Sequence, residues 1–282
     1  MPNTFERRGP MPKYASSDYP SVDQYREFLD VFDAVLGLVL FEFTGGPIDT
    51  RDLIIRNFVA RTGMSMRAIF SVWSMGDYQD CWILHRSLLE RLFLLRHLAD
   101  HDEFELFESW SFLQQYKAAT RLHADPQFGG TKAREFVAIS DDQAQRGREL
   151  MASPPKWRRP KAADVAKSMN MSFIYRFGYD YGSTHVHPMA NDGDQDFHTI
   201  TGLTPQTPFP DSHSVLSNSV LHSAMLVQAG LSASSFAWRN IVFDFFTDCV
   251  FDFLGAGGGS YKLAFIKIGE AAQSGIHLAE RA

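Results

Sequence analysis

Cysteine is scarce in this chain: of 282 residues, only Cys81 and Cys249 are cysteine. Both lie in apolar stretches with helical spacing. That excludes the disulfide framework of small secreted domains and the paired spacing of a structural zinc site. Long apolar runs are also missing. The closest, residues 241–254, is interrupted by Asp244, Asp248 and Asp252 and falls short of the roughly 20 residues that span a bilayer. The opening M-P-N-T-F-E-R-R-G-P has no apolar signal-peptide core. These absences predict a soluble, cytoplasmic protein with buried thiols and no membrane partner. Positive charge is not in excess either. The formal net charge is -6, so nucleic-acid binding would need a local basic patch. The chain has no Walker A loop, H-E-x-x-H, G-x-S-x-G or dinucleotide fingerprint. It also lacks the two E-x-x-H helices of a di-iron bundle. No cofactor is expected.

What the chain does have is apolar and aromatic. It is 45% hydrophobic, with 24 phenylalanines, enough for a substantial core. Apolar residues at helical spacing predict a helix over 22–43, with Ser21 as N-cap and Gly45-Gly46-Pro47 beyond its end. A second helix, capped by Thr50, runs to about Met75. A third over 78–99 is apolar nearly all round and should be central. A fourth spans 102–123. One polar helix and a loop are expected in 124–160, and a helix beginning at Asp164 leads into residues 175–188. Residues 188–210 lack periodicity and predict a long loop. Helices over 212–237 and 238–254 and a weak one over 261–282 complete the pattern. No strand alternation is seen. The fold class is all-α: a helical bundle with a long crossover loop and additional C-terminal helices. A flexible N-terminal arm (1–20), the bundle domain (21–254) and a C-terminal tail helix (255–282) are the expected divisions.

Chemistry concentrates in three places. The first is H-R-S-L-L-E-R, residues 85–91, on the central helix. Arg86 and Glu90 are four apart and share a face, with His97 nearly in line. They form either an ion pair that fixes the bundle's register or an arginine oriented toward a ligand. The second is Y-R-F-G-Y-D-Y-G-S-T-H-V-H-P, residues 175–188. Tyr179, Asp180, Tyr181 and Ser183 are ligand-binding candidates, and Arg176–Asp180 is another i, i+4 pair. His185 and His187 suit proton transfer, and Pro188 should hold His187 extended. The third is N-D-G-D-Q-D-F-H, residues 191–198. Asp192, Asp194 and Asp196 alternate like a calcium loop, but Phe197 and Leu203 stand where that loop needs glycine and glutamate. His185, His187 and His198 with these aspartates could collect a divalent metal; a solvated acidic loop is the alternative.

R-S-L-L-E on one helix, followed by Y-G-S-T-H-V-H-P after a later one, resembles an all-helical bacterial family of unknown function. That family has R-S-x-x-E and S-x-x-V-H-P motifs, and the likeness covers about Arg51 to Pro188. The pattern is more distantly similar to the HEPN (higher eukaryotes and prokaryotes nucleotide-binding) superfamily. That resemblance implies a homodimer and an RNA or nucleotide ligand. It also implies a metal-independent ribonuclease of a defence or abortive-infection system, with an R-x4-6-H motif. His187 would be the motif histidine, with His185 beside it. Seven residues back from His187 stands Asp180 rather than arginine; Arg176 is eleven back. The positive charge would then come from Arg176 or from Arg86, oriented by Glu90. The alternative is a non-catalytic helical dimer or ligand-sensing module, in which Arg86, Glu90, Tyr179, Ser183 and His187 form a structural polar network.

Overall fold

The computed structural model describes residues 19–128, 138–187, 189–190, 193–203 and 213–281. The first helix, α1 (Val22–Glu42), starts at a capping box. Gln24 N–H donates to Ser21 Oγ while Ser21 N–H donates to Gln24 Oε1. After it come α2 (Thr50–Ser74), α3 (Tyr78–His101) and α4 (Phe104–Ala124). A short 3-10 turn, Pro126–Phe128, precedes α5 (Asp141–Ala152), which has its own Ser140/Gln143 capping box. Next are α6 (Ala162–Ser168) and α7, which runs through Ser172–Ile174, a π-turn at Tyr175–Asp180, and Tyr181–Val186. Then follow α8 (Asp194–Thr201) and α9 (His213–Ala233). The helix α10 runs through Asn240–Asp244, a second π-turn at Phe245–Cys249, and Val250–Ala256. The last helix is α11 (Ser260–Gln273).

The architecture is all-α, as expected. The centre is α2, α3 and α9, packed along one another, with α3 between α9 and the pair α6–α7. As its nearly all-round apolarity predicts, α3 buries Cys81, Leu88, Leu89, Leu92, Phe93, Leu94, Leu95 and Leu98. A phenylalanine stack joins α1 to α10: Phe28 lies 4.1 Å from Phe253, and Phe32 packs edge-on against Phe246. The π-turn in α10 widens one turn by a residue, so the consecutive Phe245 and Phe246 both reach the core. Tyr261 of α11 closes edge-on over Phe28, so this helix shares the core. Among the described residues no helix is long and apolar enough to cross a membrane.

Several expected boundaries move. The N-cap of α2 is Asp49, not Thr50. Asp102 does not open α4; it is the left-handed C-cap of α3 at φ 53°, and α4 begins at Phe104. The helix α6 starts at Ala162, ahead of Asp164. The stretch read as loop contains α8, flanked by the left-handed Gly193 and Gly202; residues 204–210 of it, and most of the N-terminal arm, lie outside the described residues. The strongest departure is a strand pair. Phe236–Trp238 (β1) lies antiparallel to Ala279–Arg281 (β2), with Ala237 opposite Glu280. This ends α9 at Ala233 and the last helix at Gln273. Three residues per strand are too few for alternation to stand out in sequence.

The turn into β1 depends on a buried carboxylate. Asp52, 1% exposed in the first turn of α2, accepts from Ser235 N–H at 2.9 Å and from the Ser235 hydroxyl. Asp52→Ala should therefore cost about 2–3 kcal/mol by leaving both donors without an acceptor. In urea unfolding the midpoint should fall at unchanged slope.

Candidate functional site

α7 reaches α3 through two glycines. A Cβ on Gly182 would stand 2.7 Å from the Trp82 carbonyl oxygen and 2.8 Å from Arg86 Cβ; one on Gly178 would stand 2.6 Å from Leu89. Only glycine at both positions, one turn apart, lets the backbones come this close. That approach brings Tyr179 and Ser183, four apart on one face, to Arg86. The Arg86 guanidinium donates from Nε to Ser183 Oγ at 2.8 Å, from Nη2 to Tyr179 Oη at 3.0 Å and from Nη1 to Glu90 Oε2 at 3.5 Å. Its carbon also lies 4.5 Å from the Tyr179 ring centre. The Ser183 hydroxyl in turn donates a hydrogen bond to the Tyr179 carbonyl oxygen at 2.8 Å. Burial, then the Glu90 carboxylate, push the Tyr179 phenol up, so it stays a neutral acceptor and donor.

Glu90 has a second partner that the sequence reading missed. Arg159 donates to its Oε1 at 2.8 Å. Arg159 lies in the segment after α5, which is pinned by the buried Trp157. The Trp157 indole donates to Glu103 at 2.8 Å, and its ring packs against Trp110 and Phe107. The signal was present in P-P-K-W-R-R-P, a lone aromatic among cations and prolines. His97 does not join Arg86 and Glu90; it meets Glu103 at 3.3 Å.

The remaining expected residues scatter. Arg176 and Asp180 form no ion pair. The π-turn places five residues, not four, in register, and it is Tyr175 that bonds Asp180. Burial first, then the Asp180 charge, push the Tyr175 phenol up. Arg176 is exposed. Tyr181 packs edge-on against Trp82 at 5.0 Å, and His185 edge-on against Tyr181 at 4.9 Å. His187 is exposed in extended backbone, φ -107° and ψ 128°, as expected; Pro188 and Asp192 lie outside the described residues. Asp194 and Asp196 are exposed on α8, and His198 is half-buried there. Burial, then Asp77 and Asp196, push the Asp80 carboxyl up, which puts α8 near the start of α3. Among the described residues no three His, Cys, Asp or Glu side chains converge as a metal site. Both cysteines are buried, and burial pushes the Cys81 thiol up to about 12, an inert thiol.

What the arrangement does chemically is hold one cation with neutral acceptors from α7 and an anionic acceptor from α3, the latter shared with Arg159 of a third segment. A model for a family of unknown function (DUF5677) matches residues 52–200, a span that contains all of these partners. No curated protein and no solved structure matches the chain.

The close approach is testable directly. Gly182→Ala should cost about 1–3 kcal/mol, because the added methyl meets the α3 backbone. Gly269→Ala, on α11 with open space around it, should be neutral or slightly stabilising in the same thermal melts.

Proposed function

The chain belongs to that family of unknown function, and from this premise we propose that it is a non-catalytic helical module. In this reading the Arg86 centre is a clamp that presents the outer face of α7 to a second copy of the chain. The observation that carries it is the use of Arg86: its Nε, Nη1 and Nη2 groups each donate to a protein acceptor. The other arginine and the histidine of the implied motif, Arg176 and His187, are both solvent-exposed. The outer face supports the homodimer. Phe173 is 70% and Phe177 54% exposed, with ring centres 4.4 Å apart and the rings tilted 32° to each other, an aromatic pair at the surface.

Arg86→Ala should lower the unfolding free energy by about 2 kcal/mol, through Tyr179 and Ser183 left without their donor and Glu90 left with Arg159 alone. His187→Ala should change it by less than about 0.5 kcal/mol. Both are read from urea titrations.

The second reading is the metal-independent ribonuclease implied by the HEPN-like pattern, with RNA or a nucleotide as ligand. It draws on Ser183, which ties Arg86 to the chain four residues before His187. Purified protein incubated with single-stranded RNA decides between the two. Intact RNA is expected; cleavage that disappears in His187→Ala would replace the clamp reading with the nuclease. For the dimer, sedimentation velocity of the wild type and Phe177→Asp should show a shift from dimer to monomer.

A further inference from the structure

One residue before Arg86, α3 carries a polar group of the opposite kind. His85 is fully buried, and its Nδ1 lies 2.9 Å from Ser219 Oγ of α9. The Ser219 hydroxyl gives its single proton to the Val215 carbonyl at 2.6 Å. It must therefore accept from His85, and His85 is the Nδ1–H tautomer. Its Nε2 is left as a bare lone pair with no hydrogen-bond partner. That nitrogen faces α7, because a Cβ on Gly178 would stand 3.1 Å from it. The His222 ring of α9 lies 5.1 Å away, and His222 Nδ1 and Ser223 Oγ are likewise buried without partners. Two buried imidazoles thus meet between α3 and α9, and the one on α3 is covered by Gly178 of the α7 π-turn.

We propose that His85 and His222 form an acid-sensitive latch: proton uptake at His85 Nε2 lifts α7 off α3 and undoes the Arg86 clamp, while the α2–α3–α9 centre stays folded. The proton has one place to enter, since Nδ1 is already protonated, and that place is the surface covered by Gly178. An imidazolium there has no acceptor and must reach water. The routes differ in difficulty. Toward α9 and α2, α3 is packed along its length. Toward α7 it is covered by two glycines without side chains, on a helix whose outer face is already exposed. No carboxylate or cation from α2, α3, α7 or α9 relieves the charge: the electrostatic neighbour of His85 is His222, which lowers it further, and burial alone acts on His222. Arg86 and Cys81 flank His85 along α3 without being among those influences.

Burial holds His85 well below the ordinary imidazole value and His222 at about 4. The released state keeps ordinary imidazoles and so binds more protons. Closure is fully favoured above the ordinary value of about 6.5 and weakens as pH falls from there toward the folded-state values. The latch acts on the same helix as the clamp, but stands whether or not that helix meets a second copy.

The test is amide hydrogen exchange with mass-spectrometric readout on the full chain at about pH 7.5 and about pH 5, corrected for intrinsic rates. Exchange in residues 172–186 should rise about tenfold or more at the lower pH, while residues 78–101 and 213–233 stay protected. His85→Asn, which keeps the donor to Ser219 and cannot titrate, should abolish the rise. Simultaneous loss of protection in all three helices, or a rise that persists in His85→Asn, would overturn the latch. If that variant does not fold, the wild type still decides. By NMR, the titration midpoint of the His85 ring must coincide with the opening midpoint of residues 172–186; separate midpoints refute it.

Discussion

One guanidinium fixes the geometry of the family-matched part of this chain. Arg86 presents its donors in a rigid planar fork. Because Tyr179 and Ser183 lie four apart on α7, a single fork can hold both, and only in one register. Glu90, one turn along α3, takes the third donor and reaches back to Arg159 of the segment pinned by Trp157. Three separate stretches of the chain therefore meet around one ion pair, Arg86–Glu90. The arrangement demands close backbones, and Gly178 and Gly182 supply them. With side chains of 24% and 31% exposure, Arg86 and Glu90 are shielded enough that losing a partner is costly, yet wet enough that the pair need not repay full desolvation.

The helix that carries this fork has two polar faces with opposite logic. At Arg86 the charge is permanent and every neighbour is arranged to accept from it. At His85, one position earlier, the ring is kept neutral by burial and its free nitrogen looks onto a glycine. The two meet on α7, since Gly178 covers the histidine and Tyr179 accepts from the arginine. The tyrosine-rich helix is thus held on one side by the Arg86 fork and seated on the other against a buried imidazole nitrogen that has no acceptor for a proton.

Much of this was legible beforehand, and the reasons differ by feature. The Arg86–Glu90 pair could be read because i, i+4 spacing in an uninterrupted α-helix brings residues together without reference to the rest of the fold. Arg176–Asp180 has the same spacing and does not pair, because the π-turn shifts the register by one residue, and no local pattern marks such a turn. His85 looked unremarkable beside R-S-L-L-E; its partners Ser219 and His222 come from a helix more than 130 residues later. Arg159 was hidden because charges in a proline-rich segment read as solvated surface.

The sequence by itself determined the helical class, the central place of α3 and the concentration of hydrogen-bonding side chains at 175–187. Periodicity, capping residues and composition act locally, and each needs only near neighbours. The tertiary structure alone decided which of those side chains meet. It drew Tyr179 and Ser183 to Arg86, left Arg176 and His187 in solvent, sealed His85 under Gly178 and paired Phe236–Trp238 with the far end of the chain. Such meetings depend on how closely two backbones approach and in what register, quantities set by the packing of whole helices.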